Sequence, residues 1–223
     1  AYHTFYDKGR PHVHLKWAQT IDGRVSIPGG GYITGPEARL RVHRDRYLAD
    51  ALLVSASTVV ADDPLLTVRL DGQTKALVRV VLDNRRLLTG KEKIFSTCPG
   101  EGPVWVVLPA GPPGPEWARH EGVSVCPLSL DPDGHFDLKA VLALLKARNL
   151  FGVYVEAVGH LAAAFLRADL VDRISVHVAP LLAGTSPGPA ALEGGVSPAG
   201  DVRVIGRQEA QDLRVRAGAG EDV

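Results

Sequence analysis

The chain has 223 residues, enough for one large α/β domain with a full core or for two small ones. Its 25 basic and 25 acidic side chains cancel and no basic run stands out, so the electrostatic footprint of a nucleic-acid or anionic-membrane binder is missing. A small molecule is the default partner. Cys98 and Cys126 are too few for a disulfide framework and too far apart for a metal knuckle, and they read as reduced thiols of a cytoplasmic protein. The opening Ala-Tyr-His-Thr lacks a signal-peptide pattern, and no apolar run approaches the ~20 residues of a membrane span, so a soluble chain is expected.

In chain order, His12 to Thr20 reads as a first strand, turned by Asp22-Gly23. Thr34 and Glu37 have capping-box spacing with Pro36 in the first turn, predicting a helix that runs to about Leu48 and carries Arg46. The continuous apolar run Ala51 to Thr58 predicts a strand buried on both faces. Immediately after it, Thr58 to Arg69 crowd a hydroxyl, two carboxylates, a proline and a guanidinium at a strand's carboxyl end, where open α/β sheets bind ligands. Leu77–Asp83 and Val104–Leu108 are further strands, followed by a Pro- and Gly-rich loop at 109–115. Asp137 can cap a helix whose Leu138, Val141, Leu142 and Leu145 form one apolar face. A strand at Val153–Glu156, a helix from His160 to Ala168 and a strand from Ile174 to Val178 follow. Gly184–Gly200 reads as a loop, and Val202–Val215 as added antiparallel strands. The alternation predicts an α/β fold with a mainly parallel sheet covered on both faces.

Three motifs then occur in order: Lys16-Trp-Ala-Gln-Thr-Ile-Asp-Gly23, Tyr32-Ile-Thr-Gly-Pro-Glu-Ala-Arg39 and Ala61-Asp-Asp-Pro-Leu-Leu-Thr-Val-Arg69. Val155-Glu-Ala-Val-Gly-His-Leu161, Phe165-Leu-Arg-Ala-Asp-Leu-Val-Asp172 and Val178-Ala-Pro-Leu-Leu-Ala-Gly184 follow. Together they cover most of the chain and resemble the reductase domain of the bifunctional riboflavin biosynthesis deaminase/reductase. The resemblance implies a single dihydrofolate-reductase-like domain at 12–217, with 1–11 as connector and 218–223 as a tail. It implies hydride transfer from NADPH to the ribosyl C1′ of 5-amino-6-(5-phosphoribosylamino)uracil, a phosphorylated ribosylaminopyrimidine, in a protein that is commonly a homodimer. Tyr2 to Pro11 also resembles the family's link from a preceding deaminase domain. That domain's zinc signature is absent here, and a reductase half of a longer protein and a stand-alone version both stay open.

By the same resemblance, Arg46 and Arg69 match substrate-binding arginines, and guanidinium forks suit a phosphate dianion. Leu66 matches a substrate-contacting position but is equally explained as core. Lys16, Asp62 and Glu156 match polar positions lining the substrate and nicotinamide pocket. A lysine inside an apolar strand must point into something polar, and Asp62 or Glu156 could pair with it. Such a cluster can supply the proton that reduction needs; which member gives it is left open. Ala18, Tyr32, Thr58 and Asp62 match positions near the nucleotide. Asn84 ends a strand where an adenosine ribose could sit, and Arg85 and Arg86 beyond it could meet a 2′-phosphate. Val158, Gly159, His160 and Leu161 open a helix, where free N–H groups favour a pyrophosphate.

Departures from the family pattern are informative. Glycines usually follow its Val-Glu, and here Ala157-Val158 do. If position 158 needs a positive φ, valine is nearly excluded, and its isopropyl group narrows the approach of a diphosphate. Tyr32 replaces a common Trp, Gly30 stands where a substrate-binding Ser is usual, and the loop Val25–Gly31 is shortened. These departures motivate an alternative: a catalytically impaired domain kept for phosphoribosyl-ligand binding or as a dimerisation scaffold. A reductase of the same fold with another small carbonyl or pteridine-like substrate would be favoured if Arg46 and Arg69 did not converge. His12 and His14 share a strand face, but no third ligand lies at a telling spacing, so no metal is expected.

Overall fold

The computed structural model describes residues 1–27, 31–70, 72–111, 114–184 and 191–192. Seven strands form one sheet: β1 (His12–Thr20), β2 (Ala51–Ser55), β3 (Val78–Leu82), β4 (Val104–Pro109), β5 (Val123–Leu128), β6 (Gly152–Glu156) and β7 (Arg173–Ala179). Their order is β5-β4-β3-β2-β6-β1-β7, and every pairing in the sheet is parallel. The antiparallel strands expected at 202–215 lie outside the described residues.

Parallel strands need crossovers, and here the crossovers divide the helices between the two faces. Helix α2 (Pro36–Leu48) links β1 to β2 and shares one core with Leu52, Val54, Val81 and Tyr154. The short helices α3 (Ala56–Asp62) and α4 (Lys93–Ser96) and Trp117 of a 3₁₀ turn (Glu116–Arg119) line the same face. Helices α5 (Leu138–Lys146) and α6 (Gly159–Arg167) cover the other face, packing on Val13, Leu15, Leu53 and Val155. Because β6 and β1 are inserted between β2 and β7 in the sheet, the connections leave β1 and β6 toward opposite faces. That divergence opens a crevice at the strands' carboxyl ends, the switch point at which such sheets take ligands.

Residues Ala51 to Val54 are fully buried, as a strand covered on both faces requires. The strand nevertheless ends at Ser55, three residues before the expected Thr58. Ser55 is an N-cap whose hydroxyl accepts the Thr58 N–H, so Ala56–Asp62 turn into α3. The capping box at Thr34 is likewise displaced: Gly35 is the N-cap and no side chain caps the helix. Pro36 disfavours helical backbone at the residue before it, so the helix cannot begin earlier, and the Thr34 carbonyl instead accepts the Arg39 guanidinium. Strand β5, with no sequence expectation, is an edge strand and carries Pro127 where a lost N–H is tolerated.

A further helix, α1 (Tyr2–Asp7), precedes β1 and is anchored to the domain. Phe5 is buried with its ring 4.3 Å from that of Phe151. Lys8 and Arg10 both bind the Asp172 carboxylate, which also accepts the Val13 N–H. Burial pushes the Asp172 carboxyl up, but Arg10, Lys8 and the Val13 N–H outweigh it and hold it at about 2, well under the usual carboxylate range.

Candidate active site

At the crevice, Lys16 on β1 and Glu156 on β6 are register partners, so both side chains leave the sheet on the α2 face. One helical turn of α2 supplies His43 and Arg46 to the same place. The Arg46 guanidinium binds Glu156 through two parallel hydrogen bonds, Nε to Oε1 at 2.6 Å and Nη2 to Oε2 at 2.9 Å. Its Nη1 donates to the Thr67 carbonyl at 3.0 Å. Burial pushes the Glu156 carboxyl up, but the Arg46 guanidinium, followed by the Lys16 ammonium, outweighs it and the net shift is downward. Lys16 is desolvated, which lowers its ammonium; Glu156 opposes this and Arg46 reinforces it.

This geometry revises the expected pairing of Lys16. Neither Asp62 nor Glu156 forms an ion pair with it within 4.0 Å, because Glu156 is taken up by Arg46. Asp62 ends α3 on the exposed surface, and it is Asp63 that is engaged, binding the Lys93 N–H and ammonium. Arg46 also departs from expectation. Three of its five N–H groups are committed inside the protein, so it is not a free phosphate fork. Arg69 is exposed and its side chain makes no ion pair among the described residues, while its backbone N–H donates to His43 Nδ1 at 3.1 Å. His43 feels both arginines: burial first, then Arg46 and Arg69, lower its imidazole, against Glu156 and the Thr67 carbonyl. Arg69 thus meets His43 through its main chain, and both arginines weigh on the same imidazole.

The loop between α3 and β3 is shaped by two further features. Leu66 has a φ of 55° and is 4 % exposed, a left-handed leucine held by packing. Its side chain lies in the α2-side core with Val42 and Tyr154. Arg79, fully buried in the middle of β3, donates to the carbonyls of Leu65, Ile94 and Gly102 and to the Thr97 hydroxyl, with no carboxylate partner. It ties the loop to the sheet.

The residues expected around a nucleotide lie along the same row of strand ends. Ala18 is on the Lys16 face of β1, and Thr58 sits in the first turn of α3 with its hydroxyl 3.1 Å from that of Ser55. Tyr32 is exposed beneath the Arg39 guanidinium, 4.5 Å from its ring centre. Asn84 donates its amide to the Gly134 carbonyl at 2.7 Å, tying the end of β3 to the loop after β5. Arg86 is turned onto the Pro109 carbonyl. Val158 is extended, with φ −133°, and its side chain packs on the α5–α6 core, so no left-handed backbone is demanded of it. The left-handed residue is Gly159, at φ 58°, and its N–H is held by the Ala191 carbonyl at 2.9 Å. The α6 N-terminus has no side-chain cap, so the N–H groups of His160 and Leu161 keep the character of an anion cradle. His160 stacks on His135, ring centres 4.4 Å apart. Gly30 lies outside the described residues. His14, considered as a chelator, is bonded to the Ser175 hydroxyl at 2.8 Å.

His43, Arg79 and His135 were not singled out by sequence. His43 had one available signal, its place one helical turn before Arg46. Arg79 had another, a charge inside an apolar strand, the argument that had flagged Lys16.

A wholly parallel sheet with a polar cluster at its switch point defines a ligand-binding α/β domain of dihydrofolate-reductase-like fold. Residues 11–216 match the family described as the RibD C-terminal domain, and the chain belongs to that family. It is 35% identical over 191 residues to the riboflavin biosynthesis protein RibD of Escherichia coli K12, covering 79% of this chain and 50% of that protein. The chain thus spans about half the length of the curated relatives it matches. Among solved structures it is similar to the Thermotoga maritima diaminohydroxyphosphoribosylaminopyrimidine deaminase/5-amino-6-(5-phosphoribosylamino)uracil reductase, at TM-score 0.69 and 28% identity, covering 92% of this chain and 53% of that one. It is also similar to the Saccharomyces cerevisiae riboflavin biosynthesis reductase Rib7, at TM-score 0.67 and 25% identity, covering 91% and 89% of the two chains.

Proposed function

We propose that this domain is the NADPH-dependent reductase of riboflavin biosynthesis, reducing the ribosyl C1′ of 5-amino-6-(5-phosphoribosylamino)uracil to the ribityl chain. The observation that carries the reading is the Arg46–Glu156 pair beside Lys16 at the switch point, opposite the exposed Arg69. The whole-length similarity to a riboflavin biosynthesis reductase supports it.

The nicotinamide cofactor supplies the hydride. Val158, Gly159, His160 and Leu161 fit its diphosphate, since the valine is extended and the first-turn N–H groups are uncapped. Thr58, Asp62 and Ala18 are assigned to the nucleotide on the family resemblance. Arg69 takes the substrate phosphate. Arg46 holds Glu156 ionised and fixed in orientation, leaving its outer lone pairs for the substrate's hydroxyl or amino groups. Lys16 is the proton source: its ammonium is destabilised by burial, which favours release, and Glu156 keeps it charged until then. The proton goes to the sugar ring oxygen as its bond to C1′ breaks, so that hydride and proton together account for the two hydrogens gained. The domain works as a homodimer beside a linked deaminase, in the cytoplasm.

Turnover of the phosphorylated substrate with NADPH, followed by loss of reduced-nicotinamide absorbance, tests the reading. Lys16→Met should reduce kcat at least about 100-fold with little change in NADPH affinity. Retained turnover in that variant would remove Lys16 from the chemistry.

A further inference from the structure

The Arg69 guanidinium is carried on a loop whose left-handed leucine and extended course do not fix it by themselves; a side chain of α2 does. His43 Nδ1 accepts the Arg69 backbone N–H at 3.1 Å. A ring nitrogen that accepts an N–H carries no proton, so the imidazole is the neutral tautomer with its hydrogen on Nε2. The same helix face supplies Arg46 one turn later, and Arg46 fixes the neighbouring Thr67 carbonyl at 3.0 Å. Two consecutive side chains of one helix face thus grip the loop at residues 67 and 69. With Arg46 committed to Glu156, Arg69 is an exposed cation whose side chain makes no ion pair among the described residues.

We propose that His43 is a positioning residue of the anion site: it pins the Arg69 main chain, so that the guanidinium is presented to a sugar phosphate at the mouth of the crevice. This rests on the reading of Arg69 as the phosphate ligand given above. The neutral ring also matters for what it withholds. A protonated His43 would turn a donor toward the Arg69 N–H and break the grip.

The test is calorimetric titration of the folded protein with ribose 5-phosphate, and separately with NADPH, for wild type, Arg69→Ala, His43→Leu and His43→Asn. Asparagine places an amide oxygen close to the Nδ1 position, whereas leucine keeps the bulk and removes the acceptor. His43→Leu should weaken ribose 5-phosphate roughly tenfold, the effect of losing one such bond, with NADPH affinity unchanged. His43→Asn should return to within about threefold of wild type. Sugar-phosphate affinity in His43→Leu equal to wild type, with Arg69→Ala still impaired, overturns the role of His43 and leaves the phosphate reading standing. Equal affinity in Arg69→Ala overturns the phosphate reading itself. If His43→Leu fails to fold, His43→Asn decides alone: near-wild-type affinity supports the acceptor role, and a loss of tenfold or more contradicts it.

Discussion

Arg46 and Glu156, 110 positions apart in the chain, are joined by two parallel hydrogen bonds at 2.6 and 2.9 Å, and this pair ties helix α2 to the carboxyl end of β6. Both side chains are largely buried, at 11% and 18% exposed. Removing one partner strands the other charge. Arg46→Ala should therefore destabilise the domain by about 3 kcal/mol, measured by urea unfolding, as well as impairing turnover. A stability loss under about 1 kcal/mol would show that solvent compensates Glu156.

The pair also sets an acid dependence. Glu156 is shifted below its ordinary value in the folded state, so its contribution is present above the unfolded carboxyl value of about 4.3 and is lost as pH falls through the lower folded value. Thermal melts of wild type across that window should show stability falling with pH, and Glu156→Gln should flatten the fall. An unchanged slope in the variant would assign the acid limb to other carboxylates, with Asp172, held at about 2, the next to examine.

Glu156→Gln has a second consequence for chemistry. Glu156 is the main charge holding the Lys16 ammonium up against burial. Without it, Lys16 loses its proton at lower pH. The alkaline limb of the kcat profile should move toward neutrality in the variant, and a limb that stays in place would mean that Lys16 is not the titrating acid.

Val158 and Gly159 make opposite predictions at adjacent positions. Val158 is extended and packed, so Val158→Gly should cost about 1 kcal/mol of stability and change NADPH affinity by less than about threefold. Gly159, at φ 58°, cannot accept a Cβ without strain of about 1 to 2 kcal/mol, and Gly159→Ala should weaken NADPH at least tenfold by turning the α6 entrance. Tighter NADPH binding in Val158→Gly would restore the view that the valine obstructs the diphosphate.

Arg79 is a buried cation without a carboxylate partner, its Nη groups held by three carbonyls and a hydroxyl while its Nε has no acceptor among the described residues. Arg79→Met keeps the bulk but removes the guanidinium donors, leaving the Leu65 carbonyl without its partner and the Ile94 and Gly102 carbonyls with only the Thr97 hydroxyl and the Cys98 thiol. The expected cost is about 3 kcal/mol or more in chemical unfolding, with protease cleavage appearing near Leu65. A variant within about 1 kcal/mol of wild type would mean water replaces the guanidinium.

The strands were legible because burial on both faces writes continuous apolar runs such as Ala51–Val54 and Val153–Val155. Helix α5 was legible through Asp137 and its apolar stripe. The end of β2 was not, since Ser55 reads equally as a strand residue or as the N-cap it is. Edge strand β5, interrupted by Pro127, carries too weak an alternation to announce itself. Within the site, the motifs located Lys16, Arg46, Arg69 and Glu156 along the chain, yet who pairs with whom is a matter of register and helix phase. The sequence offered Lys16 a carboxylate partner, and the fold gives that carboxylate to Arg46, whose position on α2 points its Nε–Nη2 edge at β6. Backbone conformation was equally hidden: Val158 looked like an obstruction until its φ placed the special residue one position later.

The most direct measurement is isotope transfer. NADPH deuterated at the nicotinamide C4 is incubated with the protein and 5-amino-6-(5-phosphoribosylamino)uracil, and the product is read by mass spectrometry and proton NMR. One deuterium at the ribityl C1′, absent in Lys16→Met, is the predicted result. No reduced product from a folded protein that binds both NADPH and substrate would contradict the assignment.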